Sequence, residues 1–274
     1  MNANEIFDIR RFGNEFRRVC LTQWEATLMC VLVTLSVVVL GALFLQYQAL
    51  QEYAFYADAG KLGVADRIMS HDVPSRQNIL FNFLFISLGC VSASLMLPGL
   101  ATKQTRTMML TTPSSTFEKF LVQWTMCVPC FIVVFIASTV IADVLRLLFF
   151  TIVTRGNVEF YTSFHYIASD VHGFYDSCLS YFLIYLLFTS LYVVGATVWH
   201  RSSFLKITAF IGGWGLLILL WGYAWQSYFN SDLRQVWKMV ETKVDLLINL
   251  SIVVIAIANW MIAYKRLKET EVVK

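Results

Sequence analysis

Six stretches of the chain run without an Asp, Glu, Lys, Arg or His: residues 26–45, 79–98, 120–142, 177–199, 207–231 and 246–264. Each meets the roughly 20-residue length that carries an α-helix across ~30 Å of hydrocarbon. Membrane-spanning strands would need segments of about ten residues with alternating polarity. Runs such as residues 35–40 (LSVVVL) have no such alternation. The pattern predicts an all-α integral membrane protein of six transmembrane helices.

Ahead of the first apolar run, Ile9, Phe12, Phe16 and Val19 fall on one helical face, and Arg10, Asn14, Arg17 and Arg18 fall on others. That arrangement predicts a helix lying in the membrane interface with its cations toward lipid phosphates. The plainer alternative is a basic flank that only orients the first span. The run that follows is too long for the ~7–15-residue core of a secretory leader, so it is expected to remain as a span.

Between the second and third spans lies a short polar segment, residues 99–119 (GLATKQTRTMMLTTPSSTFEK). Ser115 followed by Glu118 fits a capping box, which starts a helix near Thr116. Pro129, inside the third span, should kink it, because its ring removes a backbone donor and clashes one turn back.

Three connections lie on the opposite side. Residues 46–78 are long and polar, residues 143–176 begin amphipathic and turn aromatic, and residues 232–245 place Leu233, Val236, Trp237, Val240 and Val244 on one face. The last of these is expected to rest as a helix on the membrane surface. No internal repeat or low-complexity tract divides the chain, so residues 1–274 read as one transmembrane domain.

Composition narrows the classes. With 58% hydrophobic and 14% charged residues, the chain departs from soluble domains and from disordered segments alike. Six spans place both termini on one side, and thirteen of the 21 lysines and arginines fall on that side. Basic residues predominantly face the cytoplasm, so both termini are expected there. The net charge of +3 is thus a matter of topology, and nothing in the chain suggests a nucleic-acid partner.

The six cysteines do not form a disulfide framework, since all but Cys20 lie in spans and the long opposite-side connections contain none. Cys127 and Cys130 have redox spacing but lack a thioredoxin-like context; small apolar fillers beside Pro129 is the expected role. His165, Asp170, His172 and Asp176 could in principle hold zinc, though the spacing matches no standard site.

None of the six runs contains an ionisable group, which disfavours proton-driven transport. Gly212, Gly213 and Gly215 are expected to serve close helix packing, with a broken helix as the alternative. The scattered polar residues Asn82, Ser87, Ser92, Ser94, Thr189, Ser190, Asn249, Ser251 and Asn259 should bridge helices. No phosphate-binding G-x-x-x-x-G-K-[ST] loop occurs, so this chain is no P-loop ATPase, and no catalytic constellation, cofactor or metal site is expected in it.

Two segments resemble a known family. Residues 8–18 (DIRRFGNEFRR) are similar to the cytoplasmic opening, and residues 110–124 (LTTPSSTFEKFLVQW) to the L-P-A-S-x-x-E-K-F-L-x-R-W segment, of a bacterial branch of type 2 ABC exporter permeases. Pro113, Ser115, Glu118, Lys119, Phe120, Leu121 and Trp124 match, whereas Thr112, Ser114 and Gln123 depart from that pattern.

The resemblance implies a permease in the bacterial inner membrane that exports an amphipathic or lipid-like molecule. Its partners would be a second permease chain and a cytoplasmic ATPase, which binds the ATP and Mg. Arg10, Arg11, Phe12, Phe16, Arg17 and Arg18 would form an elbow helix, and Lys103, Arg106, Glu118 and Lys119 would couple to the ATPase. The alternatives are a non-transporting scaffold or sensor that binds through its outer loops, and an enzyme built on the histidine cluster.

Overall fold

The computed structural model describes residues 7–96, 115–154, 171–199, 203–228 and 233–272, with the side chains of 171–177, 218–219, 222–246 and 270–272 left aside. Every regular element among them is helical. The helices are α1 (Ile9–Thr22), α2 (Trp24–Asp58), α3 (Leu62–Arg67), α4 (Val73–Ser94), α5 (Thr116–Cys127), α6 (Pro129–Val153), α7 (Val171–Val198), α8 (Ser203–Tyr228) and α9 (Leu233–Val272). A π-helical segment, Ile68–Asp72, joins α3 to α4.

Five stretches among the described residues are long and apolar enough to cross a membrane: Trp24–Asp58, Leu62–Ser94, Thr116–Val153, Cys178–Val198 and Leu247–Glu269. The described apolar part of α8, Ser203–Leu217, is shorter. The chain is therefore a multi-pass helical membrane protein.

Several boundaries differ from the sequence expectation. The 46–78 connection is mostly helical, because α2 runs on to Asp58. Gly60, at φ 73°, ends that helix; its N–H donates to the Ala57 carbonyl at 3.0 Å and the Lys61 N–H to Tyr56 at 2.9 Å, the paired bonds of a Schellman turn. α6 continues eleven residues past Ala142 to Val153, so the 143–176 connection begins as helix. The helix expected at 232–245 is not separate: α9 is continuous from Leu233 through the last span, with no Gly or Pro in it to break the turn. The second span stops short of residue 98, since α4 ends at Ser94.

Pro129 does more than bend its helix. α5 ends at Cys127, the chain passes through Val128 (φ −106°, ψ −71°), and α6 starts with Pro129 in its first turn. The Ser92 hydroxyl donates to the Cys127 carbonyl at 3.0 Å, occupying one of the acceptors that a helix end leaves open.

The contacts divide the chain into two compact units. One contains Phe16–Gly89 and Val128–Tyr181. Within it, α2 packs along α6, and Phe85 meets Phe131 and Phe135 at ring distances of 6.2 and 5.2 Å. Leu80 approaches Gly41 so closely that an added Cβ would lie 2.9 Å from its Cδ2. Beyond that contact, Ala49, Ile68, Met69 and Val73 form a small core with Leu50, Tyr53 and Tyr56. On its surface Arg76 pairs with Glu52 at 2.9 Å.

The other unit comprises Met1–Glu15, Cys90–Cys127 and Phe182–Lys274. The Tyr192 and Thr208 hydroxyls, 2.8 Å apart, link α7 to α8, and Asn259 of α9 donates to Ser190 of α7 at 3.0 Å. Ser203 donates to the Ser94 carbonyl at 3.3 Å. Of the polar residues expected to bridge helices, Ser92, Ser190 and Asn259 do so through their side chains, and Ser94 through its carbonyl. Thr189 and Ser251 instead bond back to their own helix, to Tyr185 and Leu247.

The glycine expectation is corrected. α8 runs unbroken through Gly212, Gly213 and Gly215, and among the described residues a Cβ at any of them would meet nothing within 4 Å. The close approach lies at Gly195 of α7, where an added Cβ would overlap the Ile207 side chain. All six cysteines are free thiols.

Candidate functional site

The capping box forms as the spacing predicted. The Ser115 N–H donates to Glu118 Oε2 at 2.9 Å, and the Glu118 N–H donates to Ser115 Oγ at 3.2 Å. This starts α5 at Thr116 and holds the glutamate in one rotamer.

Its other oxygen reaches much farther along the chain. Glu118 Oε1 accepts the Asp8 N–H at 2.8 Å and lies 3.4 Å from Arg11 Nε. Asp8 is the N-cap of α1: its Oδ1 accepts the Arg10 N–H at 2.9 Å and its carbonyl accepts the Phe12 N–H at 2.9 Å. Arg11 is also 3.9 Å from Asp8 Oδ2, so one guanidinium stands between two carboxylates. One side chain therefore caps its own helix and ties down the start of another.

Burial gives the contact its strength. Glu118 is 0% exposed and Lys119 5%. In low local dielectric a fully satisfied carboxylate holds its geometry, and removing any one donor leaves charge without compensation.

An aromatic ladder continues from this point. Phe7 packs on Phe12 (5.8 Å) and edge-on to Phe117 (6.3 Å). Phe117 and Phe120 both meet Tyr264 at 5.9 Å, and Trp124 meets Trp260 at 5.3 Å with planes 79° apart. Positions 117, 120 and 124 share one face of α5, and 260 and 264 lie one turn apart on α9. The pairing order makes the two helices antiparallel. The starts of α1 and α5 and the C-terminal part of α9 thus meet at one end of this unit.

The sequence pointed to part of this. Of the coupling residues it named, Glu118 and Lys119 are packed inside, while Lys103 and Arg106 lie outside the described residues. Arg10, Arg17 and Arg18 of the elbow segment are exposed, and Arg11, Phe12 and Phe16 are half-buried. Ile9 is 75% exposed, and the acidic Glu15 joins Val19 among the buried residues. Phe7, Phe117, Trp260 and Tyr264 were missed; an aromatic pair four residues apart at the polar end of the last apolar run was the available signal.

The second polar cluster belongs to the other unit and went unrecognised. Asp143 Oδ1 lies 2.8 Å from Arg146 Nη2, and Gln77 donates to the same Oδ1 at 3.3 Å. Arg146 Nη1 donates to Gln46 Oε1 at 2.6 Å, and Gln46 Nε2 in turn donates to Met69 Sδ at 3.6 Å. All four polar residues are 3% exposed or less. By sequence the pair falls in a connection, because the apolar run ends at its first charge.

The histidine cluster at 165–176 lies outside the described side chains. Among those described, no group of three or more His, Cys, Asp or Glu is arranged to hold a metal. No protein-family model, curated protein or solved structure matches the chain.

Proposed function

We propose that this chain is the membrane-spanning permease subunit of an ATP-driven exporter of the type 2 ABC kind. It resides in the bacterial cytoplasmic membrane with both termini in the cytoplasm. In this reading α8 adds a sixth span to the five, and α1 is the elbow helix. ATP and Mg belong to a separate cytoplasmic ATPase, a second permease chain completes the transporter, and the cargo is amphipathic or lipid-like.

The observation that carries the reading is the Glu118 junction. An exporter driven from the cytoplasm needs its ATPase-facing segment fixed to an element that can tilt a span. Glu118 supplies such a joint, since α5 cannot shift without drawing Asp8 and Arg11 of α1 with it. Lys103 and Arg106 are then the groups that meet the ATPase, while the buried Glu118 and Lys119 transmit its movement. The match of residues 110–124 to the family segment supports the same assignment.

The test is sign reversal at the joint, Glu118→Lys with Lys119→Glu, in the tagged chain purified in mild detergent. The reversed variant should elute as a single species yet lose the partner ATPase or its vanadate-sensitive hydrolysis. Normal partner binding with wild-type hydrolysis would sink the coupling assignment.

A further inference from the structure

α6 exposes large apolar side chains along almost its whole length while its charged pair stays buried. Val133, Ile136, Val140, Ile141, Val144 and Leu145 are exposed, and the row continues through Leu148, Phe149, Ile152 and Val153. Ile152 is 75% exposed and Phe149 55%, whereas Asp143, Arg146 and Phe150 point inward at 4% or less. This is the reverse of a water-facing helix, with the charges inside and the large apolar side chains outside.

The length of the row says what covers it. At about 1.5 Å per residue, Val133 to Val153 spans roughly 30 Å, one hydrocarbon thickness. The exposed apolar residues recur through the whole of a helix that already counts as a span, with no exposed charge where a boundary at Ala142 would fall. On α2, which packs along α6, the exposed apolar face runs from Leu28 to Tyr47, and Gln46 sits near its far end. Gln46 bonds Arg146, so the cluster falls toward the Gln46 end of the α2 row.

We infer that lipid acyl chains cover the outward face of α6 from Val133 to Val153, and that Asp143 and Arg146 therefore form an ionic site within the hydrocarbon. The pair is internally neutral, which is how such a site is tolerated in lipid. Gln46 and Gln77 complete its hydrogen bonding from α2 and α4, so three helices are pinned at one depth. The inference needs only a membrane-spanning α6 and stands apart from the ATPase assignment.

Two footprints of the unmodified chain in phosphatidylcholine liposomes test it. A lipid-soluble diazirine should label Leu148, Phe149 and Ile152 as strongly as Val133 and Ile136, and hydroxyl radicals in the water should leave those three unoxidised while oxidising Phe55, which is 70% exposed beyond the polar Gln51 and Glu52. Oxidation of Leu148, Phe149 and Ile152 at the level of Phe55 would overturn the inference by placing the row in water. Protection from both reagents would overturn it as well, showing that a second copy or another protein covers the face.

Discussion

Glu118 Oε1 accepts a hydrogen bond from the Asp8 N–H at 2.8 Å across 110 residues of sequence. The same carboxylate closes the capping box of its own helix through Ser115. Replacing it with alanine frees two half-buried N–H donors, each costing about 1 kcal/mol. Glu118→Gln keeps one carbonyl acceptor while losing the Arg11 pairing. Thermal unfolding in detergent should therefore rank wild type above Gln and Gln above Ala; equal midpoints for all three would mean the joint carries no load.

The Asp143–Arg146 pair should behave as a unit. Removing one partner leaves a buried charge alone, a loss of about 3–5 kcal/mol, whereas removing both at once is far milder. Asp143→Asn and Arg146→Met should each lower the unfolding midpoint sharply, and the double variant should recover most of the loss. Additive losses in the double variant would show that the two groups act independently.

How much of this was legible in the sequence follows from the range of each interaction. The capping box is set within four residues and the spacing alone predicts it, whereas Pro129 predicts a kink and the structure shows a full break between α5 and α6. The spans follow from runs of uncharged residues, which is also why α6 was cut short. A charge ended the run at Ala142, although Arg146, one turn later, neutralises it and the apolar stripe continues to Val153. The link from Glu118 to Asp8, the burial of Glu15 and the aromatic partners on α9 depend on which helices meet, and no local pattern encodes that. The same limit explains the glycines: a G-G-W-G cluster draws notice, yet the isolated Gly41 and Gly195 are the ones that face close neighbours.

Gly195 gives a steric prediction. Valine there must displace Ile207, and overpacking of this kind costs about 1–3 kcal/mol. Gly195→Val should lower the unfolding midpoint, and adding Ile207→Ala should restore part of it by vacating the space. No rescue would indicate that the helix backbones, rather than this side chain, set the spacing.

Pro129→Ala restores a backbone donor and permits α5 and α6 to join through Val128. Amide hydrogen exchange across residues 127–131 should then slow relative to wild type. Unchanged exchange would mean that packing at Ser92 and Cys127, not the proline, imposes the break.

The most direct test of the account is to extract the tagged chain into native nanodiscs with a polymer, without detergent, and identify what accompanies it. The exporter reading predicts a stoichiometric P-loop ATPase and vanadate-sensitive ATP hydrolysis in the preparation. A chain recovered alone and inert from its native lipid would contradict it.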